Sequence, residues 1–134
     1  MGEITLKSVG SLQKGNYIII DDAACVVVNT QTSRPGKHGH AKVRLQAVGI
    51  IDDKKREIVM PGHDNVQVPI IGKKNAQVLS VSGNHANVMD METYETFDLL
   101  IPAELREKVS DSDTVMYWEI LNDRVMKQIM QKAQ

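Results

Sequence analysis

The sequence predicts an all-β protein made of two small β-barrels, and three observations carry that prediction. Short β-branched runs alternate with turn residues along the chain, and no segment of the first 68 residues holds a 3.6-residue apolar period. The string of strands then starts afresh after Pro69. A length of 134 residues accommodates two very small cores. Apolar content of 42% beside 25% charge excludes a disordered chain.

The elements follow in order. Tyr17–Ile20 is a brief strand stopped by Asp21 and Asp22, and Ala23–Val28 resumes it. Ala41–Ile51 is the next strand, with Val43, Leu45, Ala47 and Gly49 alternating against Lys42, Arg44 and Gln46. Asp52 to Lys55 is a polar turn, and Glu57–Met60 is a strand ended by Pro61 and Gly62. Asn65–Val68 alternates again and runs into Pro69, which places the domain boundaries at 1–68 and 69–134. In the second half, Ala76–Val81 and Ala86–Met89 flank a hairpin turn at Ser82–His85, and Thr93–Leu100 follows. Pro102–Val109 reads as one short helix, with proline at its first position, Glu104 at the positive end and Lys108 at the other. Thr114–Leu121 is a strand leading into a turn at Asn122 and Asp123. The tail from Arg124 to Gln134 fits either a helix face of Val125, Met126, Ile129 and Met130 or a returning strand. With only 4% aromatic residues, Tyr94, Phe97, Tyr117 and Trp118 are expected to fill a core before they form a base-stacking surface.

The formal net charge of −1 conceals an asymmetry. Residues 1–68 carry 9 basic and 7 acidic side chains, whereas residues 69–134 carry 7 and 10. Between Ala23 and Ile51 stand Arg34, Lys37, Lys42 and Arg44 with no acid at all, a local positive field that the total averages away. No apolar run reaches the roughly 18 residues of a membrane helix, and Met1 to Thr5 lacks the basic start of a secretion signal. A single cysteine, Cys25, forms no internal disulfide and suits a reducing compartment. A cytoplasmic chain without a membrane partner is expected.

One segment stands apart. Thr30 to His40 lies between two β-rich runs, and its small and polar residues, with Pro35, Gly36 and Gly39, neither build a core nor continue a strand. Glycines on both sides of Lys37-His38 open backbone angles closed to other residues and leave the lysine uncrowded. A hairpin presenting one lysine near its tip is predicted, with Arg34 and Lys42 as cationic neighbours suited to an anionic partner. The Gly36-Lys37 pair fails as a phosphate-binding loop, because Gln31 stands where its first glycine belongs and His38 where a serine or threonine belongs. His38 and His40 lack further ligands at metal spacing, so no metal is assigned. Cys25 sits in an apolar run and reads as a core residue, and two loop histidines alone define no general acid–base geometry. No catalytic residue is assigned, and an enzyme is not expected. A general RNA-binding or RNA-chaperone module acting through the basic loop is the alternative that residue chemistry leaves open.

The run Ser33-Arg-Pro-Gly-Lys-His-Gly-His-Ala-Lys42, continuing through Val43-Arg-Leu45, resembles the modification loop of translation factor 5A. That family is the archaeal and eukaryotic counterpart of bacterial elongation factor P. Asn65-Val-Gln-Val-Pro69 is similar to its domain junction, and the Arg34-Pro35 pair resembles archaeal members. The resemblance implies an N-terminal SH3-like barrel and a C-terminal OB-fold. It implies that Lys37 receives an aminobutyl group from spermidine, giving deoxyhypusine or, after hydroxylation, hypusine. The NAD involved belongs to the separate deoxyhypusine synthase, so no cofactor of this chain is implied. Gly36 and Gly39 would shape the tip, Pro35 would stiffen it, and Arg34, His38, His40 and Lys42 would touch RNA or the synthase. The implied partners are the ribosome, its rRNA and tRNA, and that synthase. The implied role is to hold the acceptor end of peptidyl-tRNA so that peptide bonds form at stalling sequences such as consecutive prolines.

Overall fold

β-Branched residues set against polar ones make strands of almost every segment, and the computed structural model describes residues 3–34 and 41–133 in these terms. Eleven strands are present among the described residues: β1 (Glu3–Ser8), β2 (Tyr17–Ile20), β3 (Ala23–Ser33), β4 (Lys42–Gly49), β5 (Lys55–Pro61), β6 (Asn65–Ile70), β7 (Gly72–Ser82), β8 (His85–Asp90), β9 (Thr96–Leu100), β10 (Thr114–Ile120) and β11 (Asp123–Gln131). They fall into two units, one spanning Glu3–Ile70 and the other beginning at Ile71. Among the described residues no helix is long and apolar enough to cross a membrane.

The first unit is a four-stranded antiparallel sheet in the order β2–β3–β4–β5, with β1 and β6 paired as a separate ribbon, an SH3-like arrangement. Its turns follow from side-chain chemistry. Asp21 and Asp22 both adopt left-handed angles (φ 52° and 63°) between the paired residues Ile20 and Ala23, which is the tight reversal short polar residues tolerate. Ile18, Cys25, Val27, Val43 and Leu45 project inward and, with Val9 and Val68, form the core. Cys25 is fully buried there, and burial pushes its thiol pKa up, so it is an inert core residue. Strand β1 carries no assignment from the sequence pattern. Its apolar residues Ile4 and Leu6 lie on an exposed face, so alternation there marks no core side.

The second unit is a closed five-stranded barrel in which β7 pairs with β8, β8 with β9, β9 with β11, β11 with β10 and β10 with β7. The β9–β11 contact is parallel and the rest are antiparallel, giving the connectivity of an OB-fold. Val78, Val88, Leu99, Val115, Tyr117 and Met126 fill its interior, and Phe97 meets Tyr117 edge-on at 5.1 Å between centroids.

Several local expectations change here. The helix expected over residues 102–109 is a single 3-10 turn at Ala103–Leu105, because the segment is too short to offset helix nucleation and anchors only Leu105 and Val109. The tail is a strand, β11. The turn before it lies at Leu121 and Asn122 rather than Asn122 and Asp123, since Asp123 already pairs with Ile120. That register sets Met126 opposite Tyr117, where it is fully buried. Tyr94 does not enter the core: it sits at φ 62° in the turn before β9 and is 70% exposed.

Candidate functional site

Strands β3 and β4 are the stem of the glycine-rich segment. Pairing runs from Cys25↔Gly49 to Thr32↔Val43 and Ser33↔Lys42, so the stem is zipped up to the last described residues on each side. Alternation drives it: Val43 and Leu45 are buried, while Lys42, Arg44 and Gln46 face outward. Arg34 and Lys42 are exposed at the open end of this hairpin, on its two flanks. Pro35, Gly36, Lys37, His38, Gly39 and His40 lie outside the described residues.

The stem is held on its solvent face by a polar ladder across β3, β4 and β5. Arg44 donates through Nε to Glu57 Oε1 at 2.9 Å and through Nη2 to Oε2 at 3.3 Å. Gln46 Nε2 donates to Glu57 Oε2 at 3.0 Å, and Asn29 Nδ2 donates to Gln46 Oε1 at 3.3 Å. The hydrogen bonds from Gln46 and Arg44 lower the Glu57 pKa. Arg44 is therefore committed to an intramolecular partner. Arg34 and Lys42 form no ion pair among the described residues, which leaves their charge directed to solvent at the loop base.

A second contact fixes the β4 side. The Gly62 N–H donates to Ala41 O at 3.0 Å, and the Gly10 N–H donates to Gly62 O at 2.9 Å. Val9 N–H donates to Asp64 O at 2.9 Å, so the 3-10 turn at Val9–Ser11 clasps the β5–β6 turn. A side chain on Gly10 would place its Cβ 2.8 Å from the Gly62 carbonyl oxygen, so this approach requires glycine. Gly10 and Gly62 thus belong to the support of the loop. The sequence offered only Gly62 after Pro61 as a turn signal, because their meeting depends on two segments about fifty residues apart.

Among the described residues no three His, Cys, Asp or Glu side chains converge to hold a metal. Arg56 reaches toward Cys25 Sγ at 4.0 Å, but it is bound through both terminal nitrogens to Asp52 at 3.1 and 2.8 Å, an ion pair that raises the arginine pKa and lowers that of the carboxylate. His63, on the turn after β5, has Nε2 3.6 Å from Asp64 Oδ1, and His85 opens β8 in the other unit.

Comparison with known proteins accounts for both units. The family described as translation initiation factor 5A-like, N-terminal, matches residues 3–64. The translation initiation factor 5A of Pyrococcus horikoshii is 49% identical over 125 residues, covering 90% of this chain and 91% of its own. That of Archaeoglobus fulgidus is 46% identical over 121 residues, covering 90% and 94%. Among solved structures, eukaryotic translation initiation factor 5A from Methanococcus jannaschii superposes with a TM-score of 0.88 at 37% identity, covering 95% of each chain. A translation initiation factor 5A family protein from Naegleria fowleri does so at 0.76 and 29% identity. With its SH3-like unit and its OB barrel, the chain belongs to the translation initiation factor 5A family.

Proposed function

We propose that this translation factor acts on the ribosome through Lys37, carried as deoxyhypusine or hypusine. In this reading residues 1–68 are the loop-bearing barrel and residues 69–134 the second domain. The observation that carries it is the union of the Ser33–Lys42 run with a rigid stem. Its two flanks are paired as Ser33↔Lys42, its β4 side is tied to Gly62, and Arg34 and Lys42 form no ion pair among the described residues. A flexible group on a braced base is a positioning device.

Lysine already places an ammonium on a four-carbon stem. Transfer of an aminobutyl group from spermidine, by the separate NAD-dependent synthase, extends that reach by roughly 5–6 Å at bond lengths near 1.5 Å. One cation becomes two along a thin arm. Such an arm enters a narrow phosphate-lined passage closed to a whole domain. There it holds the acceptor end of peptidyl-tRNA in a reactive geometry while the ribosome supplies the chemistry. Sequences that stall, such as consecutive prolines, gain most from this positioning. Gly36 and Gly39 shape the tip and Pro35 stiffens it, while Arg34, His38, His40 and Lys42 contact RNA or the synthase. The factor is not an enzyme in this scheme and works in the cytoplasm.

Intact-mass measurement of protein from its native source tests the modification. Addition of C₄H₉N to Lys37 raises the mass by about 71 Da, and a bare lysine in active native protein overturns the reading. Lys37→Arg is expected to keep the fold and lose rescue of proline-rich translation, because arginine keeps the charge but does not accept the aminobutyl group. Full rescue by Lys37→Arg would show that the loop acts as a simple basic patch.

A further inference from the structure

The acid-rich second unit carries one cationic face that its ion pairs do not explain. Four basic residues lie on β7 and β11. Lys74 reaches Glu119 at 2.5 Å, and Arg124 reaches Glu95 at 2.8 Å. Lys73 and Lys127 bond no carboxylate among the described residues. Both instead place their ammonium groups over the ring of Trp118 on β10, at 5.2 Å and 4.6 Å from its centroid. The two charges therefore lie within twice 5.2 Å of each other, on the two strands that flank β10.

Local register builds this arrangement. Met116 pairs with Gln128 and Tyr117 with Met126, so Lys127 is an extra residue in β11. A β-bulge of this kind re-aims side chains. Without it Lys127 would stand opposite Tyr117, on the core side, and Met126 opposite Trp118. With it Met126 is buried and Lys127 is exposed beside Trp118. The face continues through Asn75 and Gln128, both exposed and both paired with Met116.

From this we infer a second contact surface, Lys73–Trp118–Lys127, that binds the phosphate backbone of RNA. Two ammoniums at the surface keep most of their donors while resting on a ring, since the cation–π contact uses only the ring face. Paired cations beside an aromatic are the chemistry that tracks a polynucleotide strand. The surface lies on β7, β10 and β11, away from the β8–β9 side that OB-folds commonly use for oligonucleotides. Near the β10–β11 turn a separate hollow is lined by Asp98 of β9 with Glu119, Asp123 and Arg124, a mostly acidic rim less suited to phosphate. Membership of a translation-factor family makes RNA the expected polyanion; the inference does not depend on the modification of Lys37.

Trp118 is the single tryptophan of the chain, so its emission reports on this face directly. The experiment titrates the full chain with a single-stranded oligouridylate at several salt concentrations, following both Trp118 emission and oligonucleotide anisotropy. Binding is expected to change the emission. Lys73→Gln with Lys127→Gln is expected to weaken binding about tenfold at low salt and to reduce the slope of log K against log salt by about 1.4, the loss of two phosphate contacts. Lys73→Arg with Lys127→Arg is expected to retain affinity, and Lys37→Ala to retain the emission change, which separates this surface from the loop. Unaltered affinity and slope in the Gln pair, or binding without a change in emission, overturns the proposal. An equal response to polyglutamate at matched charge also overturns it, in favour of an acidic protein partner.

Discussion

Buried Asp90 shows how one side chain stabilises the second unit. It accepts the Tyr117 hydroxyl at 2.5 Å and the backbone N–H groups of Glu92 and Thr93 at 2.8 and 2.9 Å. Burial on its own would raise the carboxyl pKa. The Tyr117 hydroxyl and those N–H groups outweigh it and hold the value at about 2, against 3.8 for a free side chain. Because the folded value is depressed, its contribution is complete above the unfolded pKa and is lost as pH falls through about 2. The size is about 2 kcal/mol. Asp90→Asn is expected to destabilise the protein by that order at pH 7 and to flatten the fall in stability between about pH 4 and pH 2, measured by urea unfolding across that range. The same interactions fix the turn that carries Tyr94 out to solvent.

At the scale of elements, strand ends decide what alternation leaves open. Lys132 and Ala133, the last described residues, are latched by Asp113, which is fully buried. Its carboxylate accepts Ser110 N–H at 2.8 Å, Ala133 N–H at 2.8 Å and Lys132 Nζ at 2.7 Å. Lys132 also donates to the carbonyl oxygen of Lys108. Burial opposes ionisation of Asp113, and these partners reverse that, leaving its pKa lowered. Ending the chain after Gln131 strips two of the three groups from a buried charge, and a loss of about 3 kcal/mol is expected in denaturant unfolding. Asp113→Asn in the shortened chain is expected to recover much of that loss, because no charge is then left buried without its partners. A strand that closes a barrel and ends on such a latch explains why the tail is β11 and not the helix its apolar spacing also permitted.

For the whole molecule, charge is the property that connects sequence to function. The net −1 divides into +2 over residues 1–68 and −3 over residues 69–134, and the structure then shows which cations remain available. Arg44, Arg56, Lys74, Arg124 and Lys132 are committed to carboxylates, whereas Arg34, Lys42, Lys73 and Lys127 are among those that are not, within the described residues. Under the proposed function, aminobutylation of Lys37 would add one further positive charge. Native protein is therefore expected to focus above the sequence pI of about 6.4, and Lys37→Arg protein from the same source to focus at the unmodified position. Coincidence of the two bands would show that the native lysine is bare.

Strand identity was legible in the sequence wherever one face is dry, as along β4, where Val43, Leu45 and Ala47 alternate with outward polar residues. So was the glycine-rich run from Ser33 to Lys42, because no packing pattern competes with it. Strand β1 was not legible, since both Ile4 and Leu6 are exposed, and neither was the one-residue shift of the β10–β11 turn. By itself, then, the sequence determined an all-β chain of two units and the family motif from Ser33 to Lys42, for these follow from residue types close together along the chain. Tertiary structure alone decided the register that buries Met126, the Gly10–Gly62 clasp beside Ala41 and the meeting of Lys73, Trp118 and Lys127. Each joins segments distant in sequence, and which of them meet is settled by barrel closure and core packing rather than by local propensity.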